Sequence, residues 1–222
     1  MSIYQPEEDS YLLSETLKKY LNNLIRANKK ILSRSKSNLL NKALNQQKSS
    51  LNSYNININN KKSISNIKNL KILDMGSGSG IQAQTCKELG FNNILTADIN
   101  QESVKLLKSK GFKSLESNLF SNINKKQKFH LIIFNPPYLP EDKYDKEKDT
   151  TAGKKGYEII LKFLKQAKSH LNPDGKIILL FSSFSKPNVI KKQAKQLGYA
   201  IKLLNQKNLF FEELFVYEIR LA

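Results

Sequence analysis

The chain has 222 residues, with 37 Lys/Arg against 19 Asp/Glu and a single cysteine. That length can bury one core without cross-links, and one cysteine, Cys86, excludes an internal disulfide and any paired-cysteine zinc site. No run approaches the roughly 18 apolar residues that cross a bilayer, and the acidic start MSIYQPEEDS has no apolar signal core, so a cytoplasmic protein is expected.

The formal charge of +18 is unevenly spread. Residues 16–73 hold 13 Lys/Arg and no acid, whereas the rest of the chain holds 24 basic and 19 acidic residues. Only Arg26, Arg34 and Arg220 are arginine. Readers of phosphate and base edges favour its planar fork, so the excess of Lys, Asn and Ile reads first as the signature of an AT-rich genome. Neither His130 nor His170 has a partner at ligand spacing, and no metal site is expected.

In chain order, Glu7 to Ile25 predicts a helix, with Leu13, Leu17, Tyr20, Leu21 and Leu24 on one face. From about 27 to 66 the texture becomes low-complexity Lys/Asn/Ser, expected as a mobile basic insertion with at most a short helix near 36–46. Strand and helix then alternate. Strands are predicted at 70–75, 93–98, 113–116 and 129–134, and helices at 80–89 and 101–110, where Cys86 reads as a core thiol. A helix over 156–171 precedes the turn NPDG (172–175), a strand over 176–181 and a helix over 187–197. Strands near 199–205 and 209–219 close the chain as an antiparallel hairpin. The expected fold is α/β: one domain built on a doubly wound, mostly parallel seven-stranded sheet.

LDMGSGSG (73–80) joins the first parallel strand to its helix. Gly76, Gly78 and Gly80, with Ser77 between, let a ligand approach the backbone closely. The loop lacks the GK[ST] ending of a phosphate loop, and its G-x-G-x-G spacing is not GxGxxG. Asp98 ends the second strand some 20 residues on, where a carboxylate can accept both hydroxyls of a ribose. Asp74 places a second carboxylate near the crevice, able to hold a cationic amine. A ribose plus an amine fits S-adenosyl-L-methionine better than NAD.

The strand at 129–134 runs out into NPPY. Pro136 forces Asn135 toward extended geometry, and Pro137 does the same to Pro136. The Asn135 amide oxygen and the Pro136 carbonyl can then grip both hydrogens of an –NH2 group, with Tyr138 as an aromatic wall. Asn135, Pro136 and Tyr138 are thus the catalytic candidates, and Asn135, Pro136, Pro137 and Tyr138 the substrate-binding ones. A planar nitrogen is a poor nucleophile, so catalysis would rest on positioning and electrostatics.

YQPEEDSYLL (4–13), LDMGSGSG, TADIN (96–100) and NPPYLP (135–140) together resemble the class I S-adenosylmethionine-dependent methyltransferases, and within them the HemK family of release-factor glutamine N5-methyltransferases. TAGKKGYEII (151–160) and FFEELFVYEI (210–219) are similar to further segments of that family. NPPY alone is shared with enzymes that methylate exocyclic amines of DNA and RNA; YxPxEDS narrows the match. The lack of room for an N-terminal helical domain points to the archaeal and eukaryotic branch.

The resemblance implies cofactor contacts from Ser10, Asp74, Gly76 and Asp98, with Asn118 and Leu119 beside the adenine. It implies that Asn135 holds the substrate amide. Where the family commonly has Asp, this chain has Asn118, whose amide oxygen can still accept from the adenine amino group. The branch also implies a small zinc-binding activator subunit pairing with the sheet edge at 112–117. Three readings stand: methylation of the glutamine in the GGQ motif of a class I release factor, methylation of an RNA or DNA exocyclic amine with 27–66 as an electrostatic anchor, and a catalytically silent binding module. The loop 141–151 is expected to cover the site.

Overall fold

The structure, a computed structural model, describes residues 3–46, 67–138 and 156–222. The expected loop at 141–151 and the second half of the expected insertion, 47–66, lie outside the described residues.

A first helix, α1, spans Glu8–Gln46. Then follow β1 (Ile72–Met75), α2 (Ile81–Glu88), β2 (Ile94–Asp98), α3 (Gln101–Ser109), β3 (Lys113–Glu116) and β4 (Phe129–Phe134). After the undescribed loop come α4 (Glu158–Ala167), β5 (Leu171–Ser182), α5 (Pro187–Gln196), β6 (Tyr199–Asn208) and β7 (Glu213–Leu221). The sheet order is β3-β2-β1-β4-β5-β7-β6, parallel from β3 to β5, with β7 antiparallel between β5 and β6. The expected mostly parallel seven-stranded sheet with its closing hairpin is what the chain forms. β1 and β4 sit at its centre, so their carboxyl ends open on the crevice where strand order reverses.

Both faces of the sheet are covered, which is why the central strands are apolar at successive positions. Ile72, Leu131 and Ile133 pack with Leu13, Leu17 and Leu21 of α1 and with Ala83, Cys86 and Leu107. Leu73, Met75, Ile132 and Phe134 pack on the opposite face with Ile160, Phe163, Leu164 and Ile190. Cys86 is fully buried, as a core thiol should be.

Several boundaries differ from expectation, and the last strand begins at Glu213 rather than near 209. NPDG does not separate helix from strand: β5 already begins at Leu171, which pairs with Phe129, and resumes with Lys176 opposite Leu131. Asn172–Gly175 bulge out opposite His130 alone, a turn absorbed within a strand rather than placed before it. The helix expected over 156–171 ends at Ala167, and a 3-10 turn, Lys168–His170, leads into β5.

The residues expected to begin a loop near 27 instead continue α1 to Gln46. At 1.5 Å per residue this helix is about 58 Å long. Its apolar stripe is used up by Ile25; beyond Asn28, the side chains described are exposed. Lys18, Arg26, Lys29, Lys30 and Arg34 project from the face opposite that stripe and form no ion pair among the described residues.

Candidate active site

A cavity of about 380 Å³ opens at the carboxyl ends of β1, β2 and β4, roofed by the first turn of α1. Every candidate read from the sequence lines it except Gly80.

The floor is the glycine loop. Gly76 has φ +60, and a Cβ there would lie 3.1 Å from Phe134 Cε2, so the loop can lie against the end of β4 only as glycine. The Gly78 N–H donates to Asp98 Oδ2 at 2.7 Å, and the Asn100 N–H donates to Asp98 Oδ1 at 2.8 Å. These bonds orient the Asp98 carboxyl at the end of β2. Asp74 is 1% exposed, and its Oδ2 accepts from the Ala83 N–H at 3.0 Å. Burial pushes its pKa well above the usual carboxylate range; the Ala83 bond offsets this in part, and Asp98 adds to it.

Gly80 serves packing. It caps α2 at φ 84, and a Cβ there would meet Leu107 Cδ2 at 2.2 Å. Its lack of a side chain lets α2 approach α3.

Asn118 is exposed at the rim, while Leu119 is buried with φ 52, a backbone state costly for a leucine. Ser117 holds it there: its hydroxyl donates to the Leu119 carbonyl at 2.6 Å and accepts from the Asn122 N–H at 3.1 Å.

The wall carries the chemistry. Asn135 Nδ2 donates to Asp9 Oδ2 at 3.0 Å and lies 3.5 Å from Ser10 Oγ. Asn135 Oδ1 is buried and has no partner among the described residues. An acceptor on Asp9 must face the NH2 end of the amide, so the oxygen end is left for a ligand. Asp9 itself is 4% exposed, and its oxygens also accept from the Tyr4 hydroxyl at 3.1 and 3.2 Å and from the Ser10 N–H. Burial, and then the charge of that same carboxyl group, push the Tyr138 phenol to a higher pKa. Tyr4 is raised likewise, first by burial and then by Asp9. One acid thus holds both Tyr4 and the amide of NPPY.

The sequence does not single out Asp9, because an acid at a helix start already has a local explanation. The signal was there in YQPEEDS, where Tyr4 and Asp9 share one motif. Nor does the sequence single out Gln82, whose Nε2 donates to the Ser10 carbonyl at 2.9 Å and whose buried Oε1 has no partner among the described residues. With the Ser14–Thr85 hydroxyl pair at 2.7 Å, this contact clamps α1 onto α2 and keeps the first turn over the cavity. The long segment after α1 therefore does not prevent the N-terminal motif from closing the site.

The donor set fits S-adenosylmethionine: an oriented carboxyl for a diol, a buried acid for a positive charge, and glycine backbone open to close approach. No cluster of metal-ligating side chains occurs among the described residues.

Comparison with known proteins agrees with this geometry. The Methyltransferase small domain family matches residues 58–208. The chain belongs to that family. It is a methyltransferase. A relative from Methanocaldococcus jannaschii, provisionally named a protein N5-glutamine methyltransferase, is 32% identical over 156 residues, which are 65% of this chain and 78% of that one. The release factor glutamine methyltransferase of Fusobacterium nucleatum is 39% identical over 82 residues, 33% of this chain but only 23% of that protein. The fold matches the Mtq2-Trm112 complex of E. cuniculi, described as methylating the eRF1 termination factor, with TM-score 0.66, 17% identity and full coverage of both chains.

Proposed function

We propose that the enzyme methylates the side-chain amide nitrogen of the glutamine in the GGQ motif of a class I release factor. The observation that carries this is the buried, unpartnered Asn135 oxygen, held by Asp9 at the wall of the cavity. The names of the relatives support the choice of acceptor.

In this reading Asp98 would take the ribose hydroxyls of the cofactor and Asp74 its cationic end. The loop from Gly76 through Ser77 to Gly78 would lie beneath it, Asn118 and Leu119 beside its adenine, and Ser10 above. When bound, the cofactor supplies a methyl group on positively charged sulfur. Asn135 Oδ1 and the Pro136 carbonyl accept the two hydrogens of the substrate amide and fix the direction of its nitrogen lone pair. Pro137 keeps that backbone rigid, and Tyr138 bounds the amide plane. As positive charge grows on the nitrogen, both hydrogen bonds strengthen, so the grip stabilises the transition state more than the ground state. No strong base is required, because the proton leaves after the methyl group has moved.

The same reading includes a small activator subunit, zinc-binding in the branch the motifs resemble, on the outer edge of β3, which pairs with β2 alone. The partnered E. cuniculi complex supports it. It also places the enzyme in the cytoplasm, where termination factors work; no helix among the described residues is long and apolar enough to cross a membrane. The test is methyl transfer from labelled cofactor to the cognate release factor and, separately, to bulk RNA. Label on the factor, lost in Asn135→Ala, is expected; label on RNA alone would favour an exocyclic-amine methyltransferase.

A further inference from the structure

The end of the β6–β7 hairpin carries an apolar feature that the chemistry does not use. Phe210 and Phe211, in the loop between β6 and β7, are 92% and 81% exposed. Their rings meet edge to face, with centroids 4.5 Å apart. Phe184, just beyond β5, is 44% exposed. Large apolar side chains displayed together on a surface mark a contact site more often than a packing accident.

The loop is held in place. The Leu209 N–H donates to the Glu212 carbonyl at 2.7 Å, and the Glu213 N–H donates to Ser183 Oγ at 3.1 Å. Lys207 is paired with Glu8 at the start of α1. Ser185 Oγ donates to the Tyr138 carbonyl at 3.1 Å, which ties the segment bearing Phe184 to NPPY. Glu212 lies close enough to Asp9 to feel its charge. These contacts hold the loop bearing the two phenylalanines near NPPY, whose residues would hold the acceptor nitrogen.

The rim is also acidic, in a chain of net charge +18. Glu7 lines the cavity, Asp9 lies within it, and Glu212 and Glu213 follow directly on the aromatic tip. Exposed aromatic rings can stack on nucleobases, but this acidic setting repels a phosphate backbone. It attracts Lys and Arg.

We infer that the Phe210–Phe211 tip with its surrounding acids is a docking surface for the methyl-acceptor protein, and that it takes a basic segment with an apolar side chain next to the modified glutamine. This rests on the protein-acceptor reading above, and the link from the tip through Ser183 and Ser185 to Tyr138 makes the acceptor its occupant.

The test compares the wild type with the double variant Phe210→Ser/Phe211→Ser in steady-state methylation of the cognate release factor. Both side chains lie outside the core, and cofactor affinity checks that the fold is kept. The KM for the factor should rise about tenfold or more, with kcat and cofactor affinity unchanged, and the wild-type KM should rise with salt. Unchanged KM in a variant that still binds cofactor would overturn the docking surface while leaving the acceptor assignment intact. Wild type that fails to label the factor would overturn the acceptor assignment, and this inference with it. Inhibition by RNA that disappears in the double variant would show that the tip takes nucleobases, and would also overturn it.

Discussion

Replacing Asn135 by alanine deletes the buried oxygen that would receive the amide hydrogens, and a loss of about 10²–10³ in kcat is expected, the magnitude typical of one transition-state hydrogen bond. Cofactor affinity, measured by calorimetry, should stay near wild type. Asp9→Ala should act through position. It frees Asn135 and Tyr4 together, so kcat should fall by about 10²-fold, the scale set by roughly 1 Å of misplacement. Asp9→Asn, which keeps one acceptor, should recover part of that loss; equal loss in both variants would contradict positioning. Asp74 makes a pH prediction. Its carboxyl pKa is raised above the ordinary value of 3.8, chiefly by burial, so its contribution to stability is full below that value and is lost as pH rises through the raised one. A cation beside it favours the charged form, so cofactor affinity should climb with pH across that window, with proton release seen by calorimetry in buffers of different ionisation enthalpy. Asp74→Asn should abolish the release. At this scale the sequence revealed which residues gather at the cavity, because glycines and carboxyls at strand ends have few other uses. Asp9 escaped it because an acid at a helix start already has a sufficient local explanation.

Among the elements, α2 and its glycine cap lend themselves to a stability test. Gly80→Ala forces a side chain into φ 84 and against Leu107, which is fully buried. A loss of about 1–3 kcal/mol is expected, read as a lower urea midpoint, and an unchanged midpoint would show that α2 and α3 can separate freely. The strands were legible because both faces of this sheet are buried and their apolar runs are continuous, as in Leu131–Phe134. The NPDG bulge was not, since turn residues look alike whether they end an element or swell within one. The extent of α1 was not either: past Ile25 no apolar stripe marks a helix, and Lys, Asn and Ser carry no periodic signal.

Over the whole molecule, charge is segregated. Basic side chains run along the outer face of α1, while acids gather at the mouth of the cavity where α1 begins. RNA that binds the basic face should therefore bind without sequence preference and weaken steeply with salt, and it should not compete with methyl transfer; competitive inhibition by RNA would count against this separation. The open edge of β3 belongs to the same scale. The chain purified alone should lose solubility or activity relative to the chain co-expressed with the proposed activator, whereas a soluble, monomeric and fully active lone chain would contradict that proposal. The most direct measurement for the central claim is tandem mass spectrometry of the cognate release factor after incubation with enzyme and cofactor. The account predicts a single added methyl group on the side-chain nitrogen of the GGQ glutamine, absent with Asn135→Ala. An unmodified glutamine, with methyl groups found on RNA or DNA instead, would contradict it.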